Sequence, residues 1–116
     1  MKGGVSIHVV DVSSGKVAEG LRVVVRRTDG EQVCSGCIAA NGLLVELSDL
    51  AERFTQGGYE VRLEVADFYR AQGMTLPEVP FLDVLIYQFG LDDTRQHYHL
   101  PFKLTAWGVS CFRGGA

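Results

Sequence analysis

The chain has 116 residues, 47% of them hydrophobic and 22% charged, which suits one domain over 1–116 around a single core and excludes a disordered or membrane-spanning chain. Its 11 basic and 14 acidic side chains give a formal net charge of -3. Nucleic acid needs clustered base to offset phosphate and is not an expected partner. No apolar run reaches the length of a membrane helix, and residues 1–4 lead straight into a strand pattern without a signal-peptide core, so a cytoplasmic protein is expected.

Taken in chain order, alternation dominates. Val5, Ile7 and Val9 fall on one face of a strand over 5–10, with Ser6, His8 and Val10 on the other. Ser13-Ser14-Gly15-Lys16 reads as a turn. Strands are predicted over 21–27 and 33–40, the second ended by Asn41-Gly42, a strong hairpin signal leading into a short strand over 43–47. Ser48 is placed as the cap of one or two helical turns over 48–54. After Gly57-Gly58, a strand over 59–65 turns Tyr59, Val61, Leu63 and Val65 inward. A short helix is predicted over 67–74, with Phe68 and Tyr69 packing down and Pro77 and Pro80 beyond it. Strands over 81–89, 97–105 and 108–112 complete the chain, with a polar loop over 91–96. Short strands, regular turns and little helix predict an all-β sandwich. The aromatic, apolar stretch 102–107 reads as an exposed edge that pairs with another subunit.

The chain holds 3 cysteines, Cys34, Cys37 and Cys111, an odd number that gives no disulfide framework. Cys34-Ser35-Gly36-Cys37 has the redox spacing, but no helix follows it and no second pair exists for zinc; two small strand residues are the reading. The 3 histidines are more informative, because they fall in two short segments near opposite ends: Ser6-Ile7-His8-Val9-Val10-Asp11 and His97-Tyr98-His99-Leu100-Pro101. Imidazole is the side chain best suited to moving protons near neutral pH. Taken singly, a strand histidine is more often a hydrogen-bonded structural residue.

The order of these residues resembles a known family. His8-Val-x-Asp11, Gly15, the turn at Asn41-Gly42, His97-Tyr98-His99-x-Pro101, Gly108 and the tail Phe112-Arg113-Gly114 are similar to the 5-hydroxyisourate hydrolases of the transthyretin-like family. The resemblance implies a transthyretin-like (prealbumin-like) sandwich of two four-stranded sheets with a short helix, assembled as a homotetramer, a dimer of dimers. It also implies a cyclic-amide hydrolase acting on a small molecule without cofactor or metal. His8 and His99 match the family's two catalytic histidines; His97 is less directly tied to chemistry. Arg113 matches a substrate-contacting arginine of the terminal tetrapeptide Tyr-Arg-Gly-Ser. Tyr98 and Trp107 are read as core and interface packing.

Three positions depart from the family. Its arginine after the turn is Leu43 here, its tail tyrosine is Phe112 and its tail serine is Gly115, with Ala116 beyond. Each change removes a polar group. Leu43, Phe112, Arg113 and Gly115 are therefore expected to shape a substrate pocket for an N-methylated ring, such as trimethyl-5-hydroxyisourate from methylxanthine (caffeine) breakdown. An arginine facing a methyl would be left partly unpaired. Ordinary 5-hydroxyisourate hydrolysis in urate breakdown and a non-catalytic, transthyretin-like small-ligand carrier are the alternatives.

Overall fold

The computed structural model describes residues 3–115; Met1, Lys2 and Ala116, and with them the expectation for the last residue, lie outside it. Eight strands form two sheets. The strands are β1 (Val5–Asp11), β2 (Lys16–Val17), β3 (Arg22–Arg27), β4 (Gln32–Cys37), β5 (Gly57–Glu64), β6 (Val84–Leu91), β7 (Tyr98–Thr105) and β8 (Gly108–Cys111). One sheet runs β2-β1-β7-β8 and the other β4-β3-β5-β6, four strands each. This is the all-β sandwich expected from the strand pattern, in the prealbumin-like arrangement that the resemblance implies.

Strict alternation builds the core between the sheets. Val5, Ile7 and Val9 of β1 and Leu100, Phe102 and Leu104 of β7 meet Val23, Val25, Tyr59, Val61 and Leu63 of the other sheet, all buried. The intervening residues of β1 and β7 necessarily face outward. Ser6, His8 and Val10, with His99, Pro101 and Lys103, share the outer face of the first sheet.

The pairing of β1 with β7 is parallel, with Ser6 opposite His99 and His8 opposite Pro101. A parallel pair needs a long connection. Here almost the whole chain is that connection, and it carries the two histidine segments from opposite ends onto adjacent strands.

Several expectations are corrected. Residues 43–47 form no strand. Asn41-Gly42 does make a turn, with Gly42 at φ 86° and the Leu43 N–H donating to Asn41 Oδ1 at 3.0 Å. It delivers a single bridge, His8 to Leu43, along the edge of β1. The chain then enters two 3-10 helices, Val45–Asp49 and Ala51–Arg53. Leu44, Leu47 and Leu50 recur every third residue, the period of a 3-10 turn, and pack against the core. Ser48 lies inside the first of these helices and caps neither.

The α-helix α1 spans Val65–Ala71, two residues earlier than expected, because the Val65 and Ala66 N–H groups donate to the Asp83 carbonyl at 2.9 and 3.1 Å. Phe68 and Tyr69 are buried as foreseen. β6 begins three residues late, and the two-residue β2 was not foreseen. The stretch 102–107 is not an edge, since β8 folds back over β7 and covers it. Trp107 leaves the core entirely; it is 61% exposed, with its ring 6.3 Å from that of exposed Phe81. Cys34 and Cys37, three apart on extended β4, point to opposite faces. Burial pushes the Cys34 thiol up to about 11, with Glu46 adding to it.

Candidate functional site

Ser6 is the centre of a hydrogen-bonded group on the outer face of the first sheet. Its Oγ lies 2.8 Å from His97 Nε2 and 2.6 Å from His99 Nδ1. His97 Nδ1 is 3.0 Å from the Gly3 carbonyl oxygen. His8 stands two residues along the same strand face, so parallel register brings it beside His99. Among the described residues, neither nitrogen of His8 nor Nε2 of His99 has a hydrogen-bond partner. The His99 imidazole is held below its ordinary value of 6.5, first by burial and then by the neighbouring His8 and His97. Neutral imidazole is therefore favoured where proton abstraction requires it.

Two glycines allow this crowding. Gly42 has φ 86°, and a side chain there would run into the His8 ring and Val17. Gly115 has φ 59°, and a Cβ on it would sit 2.7 Å from His99 Cβ. The tail departure at Gly115 is thus matched to the close approach of the tail to His99.

The tail reaches His99 by continuing the β7–β8 ladder. The His99 N–H donates to the Gly114 carbonyl at 3.0 Å, and the Gly114 N–H to the His99 carbonyl at 2.7 Å. Between this rung and Cys111 the ladder is open. Continuing the register sets Phe112 opposite Pro101, which has no N–H to give. Phe112 is 54% exposed. The Arg113 guanidinium stacks on the Tyr98 ring at 4.0 Å and donates to Gln96 Oε1 at 2.8 Å. Continued register sets Arg113 opposite inward Leu100, so its side chain lies on the Tyr98 face of the sheet, opposite the histidine face, and bonds to no histidine side chain.

Leu43 lines a cleft of about 330 Å³ with Ser6, Asn41, Val45, Ser48 and His97. His8 and His99 stand outside it on the open sheet face. A larger groove of about 610 Å³, bordered by Asp11, Lys16, Tyr69 and Gln72, holds none of the histidines.

The structure therefore brings His8, His99 and Leu43 together, with Gly115 against His99 and Phe112 on the same outer face, and sets Arg113 on the opposite face against Tyr98. Sequence reasoning missed two residues of this face. Ser6 was visible as the i−2 neighbour of His8 on one strand face, yet its contact with both distant histidines was not. Lys103, two positions beyond Pro101, points outward with its ammonium 6.0 Å from the Phe112 ring centre.

The family model for the HIUase/Transthyretin family matches residues 5–114. A Caulobacter vibrioides protein named 5-hydroxyisourate hydrolase is 36% identical over 116 residues, covering 96% of this chain and 97% of its own. The structure of Klebsiella pneumoniae 5-hydroxyisourate hydrolase superposes with a TM-score of 0.81 at 26% identity, covering 97% of this chain and 98% of that one. Sea bream transthyretin in complex with thyroxine gives a TM-score of 0.84 at 22% identity over 97% and 96% of the two chains, a likeness of fold. The chain belongs to the HIUase/transthyretin family.

Proposed function

We propose that the protein hydrolyses the cyclic amide of 5-hydroxyisourate. The observation that carries this reading is the pair His8 and His99 on one sheet face, in a chain similar along its whole length to proteins named for that activity. A neutral imidazole of the pair takes a proton from water as the water oxygen bonds to the ring carbonyl. The resulting oxyanion needs a donor, for which the other histidine in its protonated form and backbone N–H groups stand on this face, whereas Arg113 would have to leave Tyr98 and Gln96 to supply one. The C–N bond then breaks as the imidazolium returns its proton to the leaving nitrogen. The product is the ring-opened ureido-imidazoline carboxylate, and no step calls on a metal or cofactor.

The names of the relatives favour the unmethylated substrate over the N-methylated one. Leu43 in a mostly apolar cleft is the one feature that supports a second reading, an N-methylated (trimethyl) 5-hydroxyisourate. A purely ligand-binding role leaves the two adjacent imidazoles without a task. The site lies on an open face, so a homotetramer in which a second copy closes it is part of this proposal. No helix is long and apolar enough to cross a membrane among the described residues, and a cytoplasmic location fits a small polar substrate. The test is the decay of freshly oxidised urate and of trimethylurate, followed by absorbance with and without the protein. Decay of both at the uncatalysed rate refutes the hydrolase reading. Light scattering that returns one 12.7 kDa chain refutes the tetramer.

A further inference from the structure

We propose that Ser6 and His97 are positioning residues that fix His99 as the Nδ1–H tautomer, leaving His99 Nε2 as the general base. The inference rests on the hydrolase reading for its chemistry and on the hydrogen bonds alone for the tautomer.

The chain of donors has one consistent direction. A carbonyl oxygen only accepts, so the contact between His97 Nδ1 and Gly3 O at 3.0 Å requires a proton on Nδ1. A neutral His97 then has a bare lone pair on Nε2. At 2.8 Å that nitrogen accepts from Ser6, whose single hydroxyl proton is thereby used. Ser6 Oγ is left an acceptor towards His99, and the 2.6 Å contact requires the proton to sit on His99 Nδ1. Nε2 of His99 is therefore unprotonated, and no described residue bonds to it. The opposite direction needs a doubly protonated His97.

The same arrangement suits the step that follows. When His99 Nε2 takes a proton from water, the ring becomes a cation. Its Nδ1–H already points at the Ser6 oxygen, which is polarised by its own donation to His97 and, through it, to the Gly3 carbonyl. Each proton stays on its own atom and the charge is spread along the chain by polarisation. Among the described residues His8 has no such partner to select its tautomer, so the relay distinguishes the two imidazoles that the sequence leaves equivalent.

The experiment is nitrogen NMR of the histidine-labelled full chain at a pH where the rings are neutral, with kinetics on 5-hydroxyisourate alongside. In the wild type, Nδ1 of His99 is expected protonated and Nε2 bare. Ser6→Ala should release His99 into a mixture of tautomers and lower kcat about tenfold or more with KM within twofold; Ser6→Thr, which keeps the hydroxyl, should restore both readouts. His97→Ala should free the Ser6 proton to turn towards His99 Nδ1 and drive His99 to the Nε2–H form, an effect that a merely structural role would not produce. A wild type with His99 protonated on Nε2, or a Ser6→Ala protein with unchanged tautomer and kcat, overturns the proposal. A wild type inactive on 5-hydroxyisourate but carrying the Nδ1–H tautomer removes the base's role together with the hydrolase reading, while the hydrogen-bond assignment stands.

Discussion

Gly42→Ala tests how tightly the turn and the site are joined. Gly42 has φ 86°, a region where a Cβ costs about 1–2 kcal/mol against the following carbonyl. A methyl there would lie 2.7 Å from His8 Cδ2 and 2.8 Å from Val17 Cγ1. Val17 is β-branched and stiff, so the imidazole must yield, and overpacking of this kind adds about 1–3 kcal/mol. The expected loss is about 2–4 kcal/mol in urea unfolding, with kcat on 5-hydroxyisourate down tenfold or more as His8 swings from its place. Gly73→Ala is the control. Its φ is 91°, but nothing lies within 4 Å of a Cβ, so it carries the backbone cost alone and leaves kcat unchanged. If the two variants match in both stability and rate, His8 does not depend on Gly42 and the reasoning fails.

Other expectations follow from the same geometry. His8→Asn and His99→Asn should each lower kcat by about a hundredfold with the fold intact by circular dichroism, as expected for losing acid–base help; near-normal turnover in the double variant would put the chemistry elsewhere. The acid limb of kcat/KM should fall below the ordinary imidazole value of 6.5, because burial, His8 and His97 all favour neutral His99. The same depression makes the unfolded chain bind the proton first, so stability from this group declines as pH drops through the window below 6.5; a pH series of urea midpoints reads it. Tyr69→Phe removes the hydroxyl that donates to buried Asp11 Oδ1 at 2.6 Å and should cost about 1.5–3 kcal/mol at neutral pH. Burial pushes the Asp11 carboxyl up, but hydrogen bonds from Tyr69, Ser13 and Ser14 outweigh it and hold it below 3.8. That contribution should therefore shrink as pH falls through the lowered value, and a loss that stays constant from neutral pH into acid well below 3.8 would contradict it. Leu43→Arg should raise the ratio of kcat/KM for 5-hydroxyisourate over its trimethyl form; an unchanged ratio leaves position 43 outside specificity.

The sandwich was legible because its signal is local. Period-two alternation in β1, β5 and β7 assigns each side chain to a face before any partner strand is known. The errors came where two periods compete. Leu43, Val45 and Leu47 alternate like a strand, while Leu44, Leu47 and Leu50 recur every third residue, and the second set is the one packed against the core. The edge assigned to 102–107 failed for a different reason: apolar content alone does not say whether a hairpin partner follows, and β8 does. For the site, the types and ends of the chain were visible, but which atoms meet depends on the β1–β7 register, a long-range fact. Ser6 illustrates this, since its role comes from residues more than ninety positions away.

Pro101 ties the fold to the site from the opposite side. Along β7, the residues donating towards β8 alternate, and His99 donates to Gly114 across that gap. Pro101 occupies the next donating position and has nothing to give, so the ladder skips from Cys111 to Gly114. Phe112 and Arg113 are released from the sheet in between, while the rung at Gly114 still anchors the tail against His99. The interruption therefore accounts for a tail that is fixed at His99 by the Gly114 rung while Phe112, two residues before it, stands 54% exposed on the histidine face.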